Sequence, residues 1–165
     1  MSAGNKNSLT IPEIELRYVN SVKPKDRVRI SSSKSAYDAF MSVWDMDKID
    51  IIEQVAVMLL DSRGGCLGIS MVATGGMMSC IFDKKVIFGI ALKAGAHRLI
   101  LAHNHPSGFL EPSEGDINST KRLMKCGTYL DLIITDHLIV SRDSYHSFAD
   151  YKKASQPIKW SALIN

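Results

Sequence analysis

The side chains best suited to chemistry lie in one short segment, residues 103–116, which reads HNHPSGFLEPSEGD. Two histidines, His103 and His105, stand one residue apart, and Ser113 and Asp116 follow after a seven-residue gap. Imidazole nitrogens and carboxylate oxygens are ligands that suit zinc, and catalytic zinc sites pair three protein ligands with one open position. The segment therefore predicts a zinc centre that carries out hydrolysis.

A buried strand is expected to position the two histidines. The apolar run at 99–102 predicts this strand, with His103 at its end. In extended backbone the side chains of residues i and i+2 point the same way, so His103 and His105 can converge on one ion. Pro106 disfavours helix at His105 and keeps it extended. Asn104 then points away from the ion, with a structural or supporting role.

The second half of the segment has two readings. Pro112 and Ser113 predict a helix start with Ser113 as N-cap, which places Asp116 at the third helical position. A carboxylate is favoured there by the helix dipole. Ser-x-x-acid is also an ordinary capping box, which needs no metal. The two readings are compatible, because a cap can also orient a ligand.

The segment resembles the signature of the JAMM (MPN+) metallopeptidases, and its wording HNHPSG, with DHLIV at 136–140, looks like their bacterial branch, the RadC family. The likeness extends from about Glu53 to Asp150. It implies an α/β fold, a mixed β-sheet packed between helices. It also implies that His103, His105 and Asp116 bind Zn²⁺, that Ser113 stabilises an oxyanion, and that an upstream glutamate is the general acid/base.

The chain offers five glutamates for that last role. They are Glu13, Glu15, Glu53, Glu111 and Glu114. By sequence distance, Glu111 and Glu114 lie nearest the ligands. The family instead places its glutamate just before the first core strand, and Glu53 matches that position ahead of a strand expected at 54–61. A solvated acid at a strand end is the alternative interpretation of Glu53.

Two functions of different class follow. The first is a zinc metallopeptidase or isopeptidase acting on a peptide or isopeptide substrate, with water activated by the metal and Glu53. The second is a DNA-repair, recombination or mobile-element accessory protein that binds nucleic acid and whose zinc is structural or vestigial. Longer RadC relatives carry a helix-hairpin-helix region, for which residues 1–50 are too short. Little room exists for the insertions with which deubiquitinating relatives grip ubiquitin.

The composition is that of one cytoplasmic domain. The 165 residues are 45% hydrophobic, and the net charge of +3 with a pI near 8.7 is too weakly basic for a nucleic-acid signature. Cys66, Cys80 and Cys126 are expected to be free thiols. The sequence has neither a signal peptide nor an apolar run of membrane length, so we expect no membrane partner. An exposed strand edge would permit a dimer.

Periodicity divides the chain into four segments. Residues 1–9 form a disordered tail, 10–50 an N-terminal strand/helix extension, 51–150 the zinc domain and 151–165 a C-terminal tail. The extension holds a strand at 14–20 and a helix capped by Ser33 or Ser35 that runs to about Trp44. The zinc domain holds strands at 55–60, 67–72 and 99–102, and helices at 83–94 and from Ser113 to about Cys126. Residues 132–135 and 137–140 form two strands, or one strand with an irregularity.

Overall fold

A computed structural model describes residues 18–19, 21–76 and 82–150. The tails predicted at 1–9 and 151–165, nearly all of the strand predicted at 14–20, and Cys80 lie outside these residues. None of the helices in the described ranges is long and apolar enough to cross a membrane.

One five-stranded mixed sheet forms the centre of the fold. Its strands are β1 (Gln54–Leu60), β2 (Cys66–Thr74), β3 (Arg98–Asn104), β4 (Ile133–Val140) and β5 (Tyr145–Ser147), in the order β2-β1-β3-β4-β5. Only the β3–β4 pair is parallel, and the other neighbours are antiparallel. A parallel pair needs a crossover, which the long helix between β3 and β4 supplies.

Helices cover both faces of this sheet, which confirms the predicted α/β fold class. They are α1 (Ser33–Met41), α2 (Lys84–Lys93) and α3 (Glu114–Thr128). Alternate residues of the strands feed two apolar clusters: Met58 and Ile100 pack with Phe40 of α1, and Val57 and Leu101 pack with α2 and α3. Because both faces are covered, every residue of β1 is buried, as its continuous apolar run predicted.

The first helix differs in detail from its prediction. Ser32, not Ser33 or Ser35, is its N-cap, and Ser35 completes a capping box at the third helical position. The helix ends at Met41 instead of near Trp44. Trp44 is nevertheless buried in the cluster that includes α1. Three consecutive serines allow several caps, and only the packing of the apolar face selects one.

Helix α3 begins as predicted and ends later than predicted. Ser113 is its N-cap, but the helix continues through Gly127 to Thr128. The predicted end near Cys126 is therefore wrong by two residues, and Gly127 does not stop the helix. A Cβ atom there would lie 2.4 Å from the carbonyl oxygen of Leu132, so the glycine serves a close approach between the helix and the chain that leads into β4.

Strand β4 is a single strand with a bulge, the second of the two predicted alternatives. The pairing with β3 runs Leu99 with Ile134 and then Ile100 with Asp136, which leaves Thr135 as the extra residue. The Thr135 hydroxyl donates to the carbonyl oxygen of Leu99 over 3.1 Å. A one-residue bulge reverses which side chains face each side of the sheet. It therefore turns His137, two residues after Thr135, towards the face that carries His103.

Candidate metal centre

The end of β3 and the start of α3 bring three potential ligands together. His103 Nε2 lies 3.0 Å from His105 Nε2 and 3.1 Å from Asp116 Oδ1, and His105 Nε2 lies 3.5 Å from Asp116 Oδ2. His103 is fully buried, whereas His105 is partly exposed. His103, His105 and Asp116 thus form a group that can hold a metal ion.

Main-chain hydrogen bonding determines the tautomer of His105. Its Nδ1 lies 2.7 Å from the carbonyl oxygen of Phe109. A carbonyl can only accept, so Nδ1 carries the proton and Nε2 presents a lone pair in the neutral ring. The turn that brings Phe109 back to His105 contains Gly108 at φ 75°, which favours glycine. The Phe109 side chain itself is 75% exposed.

The hydrogen bonds that cap helix α3 also hold the carboxylate of Asp116. The Ser113 hydroxyl donates to Asp116 Oδ2 over 2.6 Å and accepts from the Asp116 N–H, while the Ser113 N–H also donates to Oδ2. The capping box is therefore confirmed, and it leaves Asp116 within the group that can hold a metal ion. Oδ1 of Asp116 is left facing His103.

Electrostatics at the centre match a site for a cation. Burial by itself raises the pKa of Asp116, but the interactions with His103, His105 and Ser113 outweigh it and hold that pKa far below the ordinary range. The hydrogen bond with Asp116 raises the pKa of His105, to which the charge of Glu53 adds. The carboxylate is therefore ionised, and positive charge is favoured beside it.

The donor set fits zinc. A tetrahedral zinc ion with bonds of about 2.0–2.1 Å holds its ligand atoms about 3.3 Å apart. His103 Nε2 lies 3.0 Å from His105 Nε2 and 3.1 Å from Asp116 Oδ1, both close to that value, and Asp116 approaches His105 through its other oxygen, Oδ2, at 3.5 Å. Two imidazoles and a carboxylate are also a donor set found at zinc sites with an open position. The same set would accept other divalent transition metals, so the geometry defines a metal site without fixing the element.

His103 is held from behind by a buried network. His103 Nδ1 lies 2.8 Å from His137 Nε2, and His137 Nδ1 lies 2.6 Å from the hydroxyl of Thr120, which donates to the main-chain oxygen of Asp116 over 2.7 Å. His137 is fully buried, and this burial lowers its pKa well below the ordinary value. The Phe148 ring stacks on the His137 ring, and the Phe82 ring meets it in an edge-to-face arrangement.

Asn104, between the two histidines, supports the segment that carries Glu53. Its side-chain oxygen accepts from the Gln54 N–H over 2.7 Å, and its NH₂ group donates to the carbonyl oxygens of Ile49 and Ile52 over 2.6 and 2.8 Å. Glu53 is buried beside His105 and interacts with it electrostatically. Main-chain bonds to Gly75 and Gly76 hold Glu53 from the other side.

The sequence-predicted residues thus fall into clear positions. His103, His105 and Asp116 meet, Ser113 lies against Asp116, and Glu53 lies near His105. Glu111 and Glu114 are exposed. Thr120 was missed, although its position one helical turn after Asp116 places it on the same helix face. His137, which belongs to the DHLIV segment, contacts His103, whereas His97 is exposed.

Family comparison agrees with this fold and site. The RadC-like JAB domain family matches residues 30–154, and the chain belongs to that family. The resemblance deduced from the HNHPSG segment is thereby confirmed. This domain has a fold of the JAMM superfamily.

Individual relatives are proteins named only as UPF0758. One from Flavobacterium johnsoniae is 34% identical over 128 residues, which cover 78% of this chain and 56% of the relative. One from Trichodesmium erythraeum is 33% identical over 145 residues, 86% of this chain and 58% of the relative. A third, from Clostridium kluyveri, is 35% identical over 142 residues, which cover 86% of this chain and 60% of the relative. The chain spans a little over half the length of these relatives.

Proposed function

We propose that this protein is a zinc-dependent hydrolase that cleaves an amide or isopeptide bond. The observation that carries the proposal is the convergence of two imidazole nitrogens and one carboxylate within 3.5 Å, with the buried Glu53 beside them. Three protein ligands leave a position open to water or substrate, which is typical of catalytic zinc and not of structural zinc.

In this proposal the metal supplies Lewis acidity, which polarises a carbonyl oxygen and makes water nucleophilic at neutral pH. Glu53 accepts the proton of the attacking water and passes it to the leaving amine. Its burial suits this role, because exclusion of bulk water strengthens the electrostatic interactions of the carboxylate within the site. Asn104 holds the main chain on both sides of Glu53.

Ser113 has two roles in the proposal. Its hydroxyl proton is directed at Asp116 Oδ2. To stabilise a developing oxyanion, the hydroxyl must rotate from the carboxylate to the substrate oxygen. We therefore expect Ser113→Ala to lower both the stability of the folded protein and its turnover.

The test compares Glu53→Gln with the parent. Both are loaded with zinc and assayed on a panel of peptides and lysine ε-linked isopeptides. We expect Glu53→Gln to keep its zinc and to lose turnover by roughly 10²–10⁴-fold. Glu114→Gln is the matched control, because Glu114 is an exposed acid in the first turn of α3. Full turnover in Glu53→Gln would contradict its role, and a loaded parent inactive on the whole panel would contradict amide hydrolysis.

The partner we propose is a peptide or isopeptide substrate in the cytoplasm. The nucleic-acid alternative stays a prediction. Phosphate contacts release counterions, so it requires DNA affinity that falls steeply with salt concentration. Filter-binding measurements of DNA affinity at salt concentrations from about 50 to about 200 mM would test the nucleic-acid alternative. Affinity that is absent or independent of salt would contradict it.

A further inference from the structure

A polar network runs through the core behind the candidate metal centre. It joins His103 of β3, His137 of β4 and Thr120 of α3, and it ends at the main-chain oxygen of Asp116. All three side chains are at most 1% exposed. Buried polar groups are costly unless each finds a partner, so this network has to be ordered.

The order of the protons follows from the end of the network. The main-chain oxygen of Asp116 can only accept, so the single hydroxyl proton of Thr120 is directed to it. The Thr120 oxygen then accepts from His137 Nδ1–H. In a neutral imidazole the other nitrogen is an acceptor, so His137 Nε2 accepts from His103 Nδ1–H. In the neutral ring, His103 Nε2 then carries the lone pair, and it faces His105 and Asp116.

We propose that Thr120 and His137 are positioning residues that fix His103 in the Nδ1–H tautomer and so present its Nε2 lone pair to the metal. This inference rests on the proposed metal site, but it concerns the residues of this chain. If the network ran in the opposite direction, Thr120 would donate to His137, and His103 Nε2 would carry a proton where the metal must bind. The 2.7 Å contact between the Thr120 hydroxyl and the Asp116 oxygen would then hold no proton.

The helix contributes to the centre twice in this arrangement. One turn of α3 carries both the Asp116 carboxylate and the Thr120 hydroxyl that orders the network. The bulge at Thr135 turns His137 to this face of the sheet. Partners that orient ligating histidines are typically worth about 10–100-fold in metal affinity.

Zinc affinity tests the role of Thr120. Thr120→Val keeps the shape of the side chain and removes the hydroxyl, and Thr120→Ser restores it. We expect zinc to bind Thr120→Val about 10–100-fold more weakly than the parent in competition with a chromophoric chelator, and Thr120→Ser to recover most of the loss. Thr128→Val is the matched control, because the exposed Thr128 makes the same kind of bond, to Lys125 O, on the same helix. Parent-like affinity in Thr120→Val would overturn the proposal.

Imidazole ¹⁵N NMR of the metal-free parent tests the proton order directly. We expect the His103 ring to show a protonated Nδ1 and an unprotonated Nε2, and Thr120→Val to change this signature. A His103 ring with its proton on Nε2 would overturn the inference. Because this spectrum needs neither zinc nor turnover, it separates the two proposals: a parent that shows the tautomer but binds no zinc contradicts the proposed function and leaves the network established.

Discussion

Asn104 joins the ligand segment to the chain around Glu53. Its side chain satisfies one N–H and two carbonyl groups from residues 49–54, all within 2.8 Å. These hydrogen bonds hold residues 49–54 against the end of β3, because each buried group would otherwise lack a partner. The fully buried Asn104 therefore contributes both to stability and to the placement of the proposed general base.

Replacing Asn104 should separate folding and turnover from metal binding. Asn104→Ala leaves buried main-chain groups unpaired, so we expect the free energy of unfolding in urea to fall by about 1–3 kcal/mol or more. Zinc binding should persist, because the three ligands are unchanged, while turnover falls as Glu53 loses its support. Asn118→Ala, at an exposed position of α3, is the control. Unchanged stability in Asn104→Ala would show that the network contributes nothing.

At the residue scale, the ligand types and spacing were readable from the sequence and the supporting contacts were not. His103, His105 and Asp116 lie within fourteen consecutive residues, so local geometry suffices to suggest that they converge. The network behind His103 depends on His137, which is 34 residues away and faces the site only because of a bulge. No local pattern reveals such a contact.

Elements differ in how far local sequence determines their ends. The helix predicted at 83–94 is observed at Lys84–Lys93, and the structure shows Asp83 to be its N-cap. Helix α3 continues past its predicted end, because Gly127 is needed for a tertiary contact with Leu132 and not for a helix stop. A glycine after an apolar stripe usually ends a helix, but here it permits contact with Leu132.

Two glycine substitutions test this interpretation at the element scale. Gly127→Ala places a Cβ atom against main chain, so we expect it to destabilise the fold by about 1–3 kcal/mol. Gly89→Ala in α2 is the matched case, because nothing lies within 4 Å of its added Cβ. It should stabilise by about 0.5–1 kcal/mol through the entropy of the unfolded chain. Urea unfolding measures both, and equal effects of the two changes would contradict the close-approach explanation.

At the scale of the whole molecule, Asp136 of β4 links helix α1 to strand β5 and the residues that follow it. Its carboxylate accepts from the hydroxyls of Ser33 and Ser147 and from the N–H groups of His137 and Ala149. Burial raises the pKa of Asp136 despite these bonds. The carboxylate thus has a net desolvation cost in the folded state.

This raised pKa predicts how stability depends on pH. The folded state binds a proton at Asp136 more tightly than the unfolded chain does, so the contribution of Asp136 is fully present below its unfolded pKa and is lost as pH rises through the folded pKa. Relative to Asp136→Asn, the parent should therefore lose free energy of unfolding as pH rises from about 4 towards neutrality. Other groups cancel in this difference. A difference that is constant with pH, or of opposite sign, would contradict the burial argument.

The central claim is that His103, His105 and Asp116 bind one metal ion, and metal content tests it most directly. Elemental mass spectrometry on protein purified without chelator should find about one zinc ion per chain in the parent. His105→Ala and Asp116→Ala should lose it, whereas His97→Ala, which removes an exposed histidine outside the site, should keep it. A folded parent that holds no metal and takes up no zinc would contradict the account.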